Sequence, residues 1–156
     1  MMTSQFIVRQ IQNDTELIQC AGLDHAFTTT SVWQMDMRDD EGEIMVRFRT
    51  ARLPRAMIVS YPRDNEDLRA SWQPLDCFLV ATVDQLILGY VNMRVDATRI
   101  GWIQDLIVDM PVRRKHIGSA LLEQVMRWGR LHKLSHVIVV LQTKNYPAIC
   151  FIQSHG

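Results

Sequence analysis

The chain has 156 residues, of which 47% are hydrophobic and 22% charged, and its formal net charge is zero. This composition predicts a single globular domain over residues 1–156 with a hydrophobic core. Balanced charge argues against a nucleic-acid or membrane-surface partner, for which a basic excess is expected. No apolar run approaches the ~20 residues of a membrane span. The three cysteines, Cys20, Cys77 and Cys150, lack metal-ligand spacing, so we expect free thiols, no metal and a cytoplasmic location.

The first half of the chain predicts strands, one helix and a loop. Asn13 can cap a helix that runs to about residue 23. A turn signal at 38–42 separates two alternating segments, which predicts a hairpin. Residues 62–74 are charged and contain two prolines, so we expect a loop with one helical turn. The strand-like segments are 5–11, 32–37, 43–49 and 55–61.

The second half predicts a meander of antiparallel strands followed by a β-α-β-α unit. Apolar residues at close to 3.6 spacing predict a helix over 117–132. The β-branched run 137–141 is typical of a strand buried on both faces. A last helix over 145–154 has Asn145 or Thr143 as its cap. Together with strands at 77–82, 86–95 and 99–108, this order predicts an α+β fold.

A basic turn lies between the third strand of the meander and the helix that follows it. Arg113, Arg114 and Lys115 form this turn, and Gly118 and Ser119 come directly after it. The first-turn N–H groups of a helix have no intrahelical partners, and the helix dipole adds positive potential there. This arrangement predicts a site for a phosphorylated cofactor.

The residues of this second half resemble the GNAT superfamily of acyl-CoA N-acyltransferases. Its signature between strand and helix is matched by Arg113, Gly118 and the segment 119–122. A second motif is matched downstream by Asn145, Ala148, Phe151 and Gly156. Within the superfamily, the segment Ile103–Val108 is most similar to the streptothricin-acetyltransferase type.

The resemblance implies a GNAT-type mixed, mostly antiparallel twisted sheet flanked by helices. Because the chain stops at Gly156, we expect the C-terminal strands of that fold to be missing, and the domain to be C-terminally short. Acetyl-CoA, the implied cosubstrate, would lie in a V-shaped opening between the strand ending at Val108 and the strand at 137–141. The implied cofactor-binding residues are Leu106, Ile107, Val108, Arg113, Arg114, Lys115, His116, Ile117, Gly118, Ser119, Asn145, Ala148 and Phe151.

Asp105 is the candidate general base, because an attacking amine must lose a proton. The alternative is a strand carboxylate paired with Arg94 or Arg99. The chain departs from the family at His116, where glycine is usual, although histidine tolerates the left-handed backbone region. It also departs at Ile152, where the family often has a tyrosine that protonates the leaving CoA thiolate.

The sequence therefore predicts an acetyl-CoA-dependent N-acetyltransferase acting directly on a primary amine of a small molecule or peptide. The alternative is a catalytically silent acyl-CoA-binding or interaction module of the same fold, which Ile152 and the missing strands favour. An uncovered strand at 137–141 would present an apolar edge. We expect this edge to pair with a second copy in a homodimer, or the hairpin at 32–60 to cover it.

Overall fold

The computed structural model describes residues 5–156, which form seven strands and four helices. The strands are β1 (Ile7–Gln10), β2 (Ala26–Asp40), β3 (Glu43–Ser60), β4 (Cys77–Val83), β5 (Leu86–Val95), β6 (Ile100–Val108) and β7 (His136–Val139). The helices are α1 (Asp14–Ala21), α2 (Asn65–Ala70), α3 (Ile117–Leu131) and α4 (Tyr146–Gln153).

Two compact units divide these elements. The sheet unit contains the residues up to His25 together with Tyr61–Val140, and the hairpin unit contains Ala26–Ser60 and Leu141–Gly156. Each unit is described by itself below. The single domain over residues 1–156 stays a prediction.

A five-stranded sheet in the order β1-β4-β5-β6-β7 forms the centre of the sheet unit. Strands β1, β4, β5 and β6 pair antiparallel, and β7 joins β6 in parallel. The parallel pair follows from the α3 crossover, since parallel neighbours need a long connection. The predicted α+β class with a mostly antiparallel sheet is confirmed.

Helices cover this sheet from two sides. Tyr90 packs in one cluster with Leu17 of α1 and Leu68 of α2, all three fully buried. A Cβ atom added to Gly89 would lie 3.4 Å from Leu121 of α3. Because successive strand residues point to opposite faces, α3 lies on the face opposite α1 and α2.

The last strand of the sheet differs from its prediction. We expected 137–141 to be buried on both faces, but β7 ends at Val139 and its residues Val137–Val139 are half-buried. Val140 is 77% exposed. The reason is position, because β7 stands at one edge of the sheet and pairs only with β6 among the described strands.

The hairpin unit is built on one long two-stranded ribbon. Its loop residues Glu41 and Gly42 both have positive φ, 49° and 92°, as a two-residue hairpin turn requires. We expected separate strands at 43–49 and 55–61, whereas β3 runs continuously. Its register shifts where Thr29 pairs with Met57 but Ser31 with Arg52, so Pro54 lies in an irregularity that needs no ladder N–H.

The two faces of this hairpin are chemically different. Cross-strand pairs such as Met35–Phe48 and Met37–Val46 form an apolar face, and pairs such as Asp36–Arg47 form a charged one. The apolar side chains are about half to two-thirds exposed: Met35, Met37, Ile44, Val46 and Phe48. Exposed apolar faces of this kind are typical of interaction surfaces.

Candidate active site

A bulge in β6 sets the geometry of the candidate site. Asn92 of β5 pairs with Asp105, but Met93 pairs with Ile103, so Gln104 is an extra residue in β6. The parallel pairing with β7 also ends at Ile103. Beyond that point, β6 continues to Val108 without a strand partner on its β7 side among the described residues. Its backbone edge is therefore available to a ligand between the two strands.

The end of β6 is held close to β5 by a glycine. A Cβ atom at Gly89 would lie 2.6 Å from the carbonyl oxygen of Ile107. No side chain can occupy that position without shifting the backbone of β6. Gly89 therefore fixes the point from which the chain leaves the sheet toward the basic turn.

The basic turn is fastened to the sheet unit by Arg113. Its Nε donates to the carbonyl oxygen of Val108 and its Nη2 donates to that of Asp24, each at 2.8 Å. A short 3-10 turn over Met110–Val112 precedes it. Arg113 thus has a structural role in addition to the phosphate-binding role that stays a prediction.

The turn after Arg113 opens the N-terminus of α3. His116 adopts the left-handed conformation with φ 64° and ψ 9°, and Arg114 has φ 63°. The expectation that histidine can replace glycine in this conformation is confirmed. The side chain of His116 makes no capping hydrogen bond to α3, and the first-turn N–H groups of the helix face the turn with the helix dipole behind them. Arg114, Lys115 and His116 are exposed around this turn.

Asp105 lies at the bulge with both carboxylate oxygens held. Nε of Arg63 donates to Oδ1 at 3.0 Å, and Nδ2 of Asn92 donates to Oδ2 at 3.2 Å. The backbone N–H of Asp105 donates in turn to Oδ1 of Asn92 at 2.7 Å. The side chain of Asp105 is 10% exposed. Each carboxylate oxygen still has acceptor capacity for a further proton donor.

The partners of Asp105 are not the ones that the sequence suggested. Neither Arg94 nor Arg99 pairs with it; the guanidinium of Arg99 bonds the carbonyl oxygens of His132 and Lys133 instead. Arg63 lies in the segment predicted as a loop, and nothing in its neighbourhood singles it out. Asn92 did carry a signal, because a polar residue in the middle of the apolar strand β5 must find a buried partner.

A buried aromatic pair lies close to this group. The Tyr90 hydroxyl and Nε2 of His25 are 2.9 Å apart, and Nδ1 of His25 lies 2.7 Å from the carbonyl oxygen of Leu23. Burial, and next the charge of Asp105, raise the pKa of Tyr90. Tyr90 therefore stays protonated at neutral pH and is no candidate for the base.

A pocket of about 200 Å³ opens beside Asp105. It is lined by the bulge residue Gln104, by side chains of the α2 region and by Arg94 of β5. The complete lining is Arg63, Asp67, Ala70, Ser71, Arg94, Gln104 and Asp105. All but one of these residues are polar or charged.

The downstream motif residues belong to the hairpin unit. Oδ1 of Asn145 accepts the N–H of Ala148 at 3.3 Å, which caps α4 as predicted. Phe151 is half-buried, and its ring lies 4.5 Å from that of His155. A role for Asn145, Ala148 and Phe151 in binding the cofactor stays a prediction.

Other features of the described residues bear on the chemistry available to the chain. Cys20, Cys77 and Cys150 are free cysteines. Burial raises the pKa of both Cys20 and Cys77 to about 12. Residues 5–156 contain no group of three or more His, Cys, Asp or Glu side chains suited to a metal ion. No helix in this range is long and apolar enough to cross a membrane.

Solved structures of acetyltransferases share this fold. Nourseothricin acetyltransferase is 22% identical with a TM-score of 0.75, over 97% of this chain and 82% of that one. A putative streptothricin acetyltransferase from Bacillus anthracis str. Ames, in complex with acetyl coenzyme A, is 17% identical with a TM-score of 0.79, over 97% and 83%. An aminoglycoside acetyltransferase from an uncultured soil metagenomic sample, in complex with sisomicin, is 24% identical with a TM-score of 0.52, over 62% and 66%.

The sequence comparisons give the family directly. No curated protein sequence matches the chain. The sequence model of the Acetyltransferase (GNAT) family matches residues 31–156, and the predicted resemblance is thereby confirmed. The chain belongs to the GNAT family and is an acetyltransferase.

Proposed function

We propose that the protein transfers the acetyl group of acetyl-CoA directly to the primary amine of a small molecule. The observation that carries this proposal is the juxtaposition at the bulge of β6. There an open backbone edge, a held carboxylate and a pocket adjoin one another, and the basic turn follows at the end of the same strand. Acetyl-CoA supplies an activated acetyl thioester, whose sulfur the acceptor amine replaces with release of free CoA.

The residues after β6 fit the phosphates of this cosubstrate. The N–H groups of the turn and of the α3 N-terminus would hold the pyrophosphate, with Arg114, Lys115 and His116 around it. The exposed cations Arg114 and Lys115 contribute only ~1 kcal/mol or less each. The backbone N–H groups are therefore the main predicted ligands of the pyrophosphate.

The free edge of β6 fits the pantetheine arm. The backbone of Leu106 and Val108 would pair with its amide groups, as a further strand would, while Ile107 between them faces β5. From Val108 back to Gln104 the strand spans about 13 Å. An extended pantetheine arm has a similar length, so its thioester end would reach the bulge, where Asp105 and the pocket are.

Asp105 would receive the proton that the amine loses on attack. Arg63 and Asn92 fix the orientation of its two oxygens, which holds the base in one position relative to the pocket. The proton would pass directly or through one water molecule. An ammonium group entering the pocket would first be attracted by the same carboxylate.

The two buried thiols of the chain, Cys20 and Cys77, are unsuited to a covalent acyl intermediate. A cysteine attacks a thioester as a thiolate, and the raised pKa values of Cys20 and Cys77, about 12, keep both protonated at neutral pH. Ile152 occupies the usual acid position and cannot donate a proton. The CoA thiolate would therefore leave without help from that position, which a good leaving group tolerates.

A silent acyl-CoA-binding module is the second candidate function, and Ile152 is the observation that favours it. Two measurements on the same protein separate the candidates. Calorimetric titration with acetyl-CoA tests the shared cofactor site, and free CoA released with a panel of primary amines tests transfer. Binding with CoA release supports the enzyme, and binding without release with any amine supports the module.

Two further assignments belong to this proposal. The free cysteines Cys20, Cys77 and Cys150 agree with a reducing cytoplasm. One edge of β7 has no neighbouring strand among the described residues. A strand from a second copy would pair with this edge and give a homodimer.

A further inference from the structure

We infer that the acceptor is a small zwitterion, an amine that also carries a carboxylate, which the pocket beside Asp105 recognises at both ends. The inference rests on the proposed function and names the substrate class of the same site. Recognition of the carboxylate is assigned to Arg94. This residue has no part in holding Asp105, and its role is separate from that of the cofactor site.

The size of the pocket limits the acceptor. Its volume of about 200 Å³ is below the ≈ 300–1,000 Å³ of sites that enclose drug-sized ligands. A molecule the size of an amino acid fits this space, whereas an oligosaccharide-like antibiotic would extend out of it into solvent. Because Ala70 is the single apolar lining residue, the pocket offers polar contacts to both ends of an acceptor.

The charges of the lining are balanced rather than acidic. Two carboxylates, Asp67 and Asp105, face two guanidiniums, Arg63 and Arg94. A polycationic amine would bring its further charges against the arginines, and this costs free energy in a partly desolvated site. A molecule with one positive and one negative group is complementary to the pocket.

Arg94 is the group available for the negative end. Arg63 is bonded to Asp105, but the side chain of Arg94 is exposed and makes no hydrogen bond or ion pair within residues 5–156. An arginine with its donors unused in a polar pocket can bind a carboxylate with two parallel hydrogen bonds.

The strand geometry places the two recognition groups at a suitable spacing. Arg94 follows Asn92 by two residues on β5, so both side chains stand on one face, about 7 Å apart along the strand. Asn92 is bonded to Asp105. Asp105 would bind the amine of the acceptor, and Arg94 would bind its carboxylate. The two side chains are therefore close enough for one amino acid to contact both.

Matched acceptor pairs test the inference. Free CoA release is measured for lysine against cadaverine, ornithine against putrescine, and 4-aminobutyrate against butylamine, in the wild type and in Arg94→Gln. We expect the wild type to prefer at least one zwitterion over its partner by about tenfold or more in kcat/KM. Arg94→Gln should lose that preference, so that kcat/KM for the zwitterion falls to the level of its carboxylate-free partner in the same variant. Arg130→Gln, an exposed arginine of α3, is the matched control and should behave as wild type.

The outcomes separate this inference from the proposed function. Equal or better use of the carboxylate-free amines, or an unchanged preference in Arg94→Gln, overturns the zwitterion and leaves acetyl transfer intact. Where no amine is turned over, calorimetric titration of the amino acids into the protein saturated with CoA makes the same comparison. Absence of amino-acid binding there also overturns the inference, whereas failure to bind acetyl-CoA itself overturns the proposed function.

Discussion

Arg63 and Asp105, 42 positions apart in the chain, meet at 3.0 Å beside the β6 bulge. Burial of the Arg63 guanidinium works against its charge, but the charge and hydrogen bond of Asp105 outweigh it and raise the pKa of Arg63. The side chain is 39% exposed, and that of Asp105 10%. Arg63 therefore stays cationic and holds Asp105 from the pocket side.

Replacing Asp105 by asparagine tests its assignment as the base. Asparagine keeps the shape but cannot take a proton, and its one carbonyl oxygen can replace only one of the two acceptors that Asn92 and Arg63 use in Asp105. We expect kcat to fall by about 100-fold or more, with the affinity for acetyl-CoA unchanged in a calorimetric titration. Asp84→Asn is the matched control, because Asp84 lies in the β4–β5 turn at φ 53°, which asparagine tolerates. Wild-type turnover in Asp105→Asn would exclude Asp105 as the base.

Arg63 should behave as a positioning residue. In Arg63→Gln we expect kcat to fall by roughly tenfold, since Asp105 keeps only Asn92 as a side-chain partner. Arg63→Lys should recover part of that loss, because an ammonium still carries the charge but cannot reproduce the directed Nε hydrogen bond. If Arg63→Gln only destabilised the fold, the midpoint of denaturant unfolding would fall. In that case Arg63→Lys would not restore kcat without also restoring the midpoint. Equal kcat in all three proteins contradicts the positioning role.

The fold around this pair was predictable to different degrees. The helix from 117 and the strand ending at Val108 follow from local periodicity, and so does the turn between them. The left-handed backbone of His116 was predictable too, because the family usually has glycine at this position. The Arg63–Asp105 contact does not, because nothing in the sequence fixes how a charged segment after the hairpin folds back on β6.

The hairpin shows a second limit of the sequence. Alternation predicted strands at 32–37 and 43–49, and 55–61 was predicted as a separate strand. The structure keeps one strand, because a register shift opposite residues 29–31 absorbs Pro54. Burial of the last strand was overestimated for a related reason, since a β-branched run does not say whether a strand lies at the centre or the edge of a sheet.

His116 is a test of the turn itself. At φ 64° a β-branched residue is strained, so His116→Val should lower the free energy of unfolding by about 1–2 kcal/mol and weaken acetyl-CoA binding. His116→Gly should retain both. Lys115→Val, at the preceding exposed position, is the control and should change stability little. Urea unfolding and calorimetry provide the two readouts, and equal stability of the His116→Val and Lys115→Val proteins would contradict the role of the left-handed residue.

Stability should depend on pH through Glu16. The hydrogen bonds from Arg9 at 2.6 Å and from the Gln12 N–H at 2.8 Å lower the pKa of Glu16 from its ordinary value. The stabilisation is therefore complete above the unfolded pKa of about 4.5 and is lost as pH falls through the lower folded pKa. Glu16→Gln should cost about 1–2 kcal/mol at pH 7 and progressively less below pH ~4.

Denaturant unfolding between pH 3 and 7 measures this dependence. Glu123→Gln, at an exposed position of α3, is the control and should follow the wild type throughout. A Glu16→Gln penalty that stays constant over this range would contradict the ion-pair explanation.

Two exposed surfaces, the edge of β7 and the apolar face of the hairpin, are candidates for a dimer contact, and the oligomeric state of two variants distinguishes them. If the edge of β7 pairs with a second copy, size-exclusion chromatography with light scattering should give twice the monomer mass. Val140→Lys should then shift the protein toward monomer, because a lysine blunts an exposed edge. Met37→Lys, on the apolar face of the hairpin, should leave the dimer intact. Dissociation by Met37→Lys alone would assign the contact to the hairpin, and a monomeric wild type would exclude both.

The central claim is acetyl transfer to an amine at the β6 bulge, and product analysis tests it most directly. The wild type and Asp105→Asn are incubated with acetyl-CoA and the amine panel, and acetylated amine and free CoA are quantified by mass spectrometry. We predict equal amounts of the two products with the wild type, and a loss of both in Asp105→Asn. Acetyl-CoA binding without any acetylated amine, or the same yield from both proteins, would contradict this account.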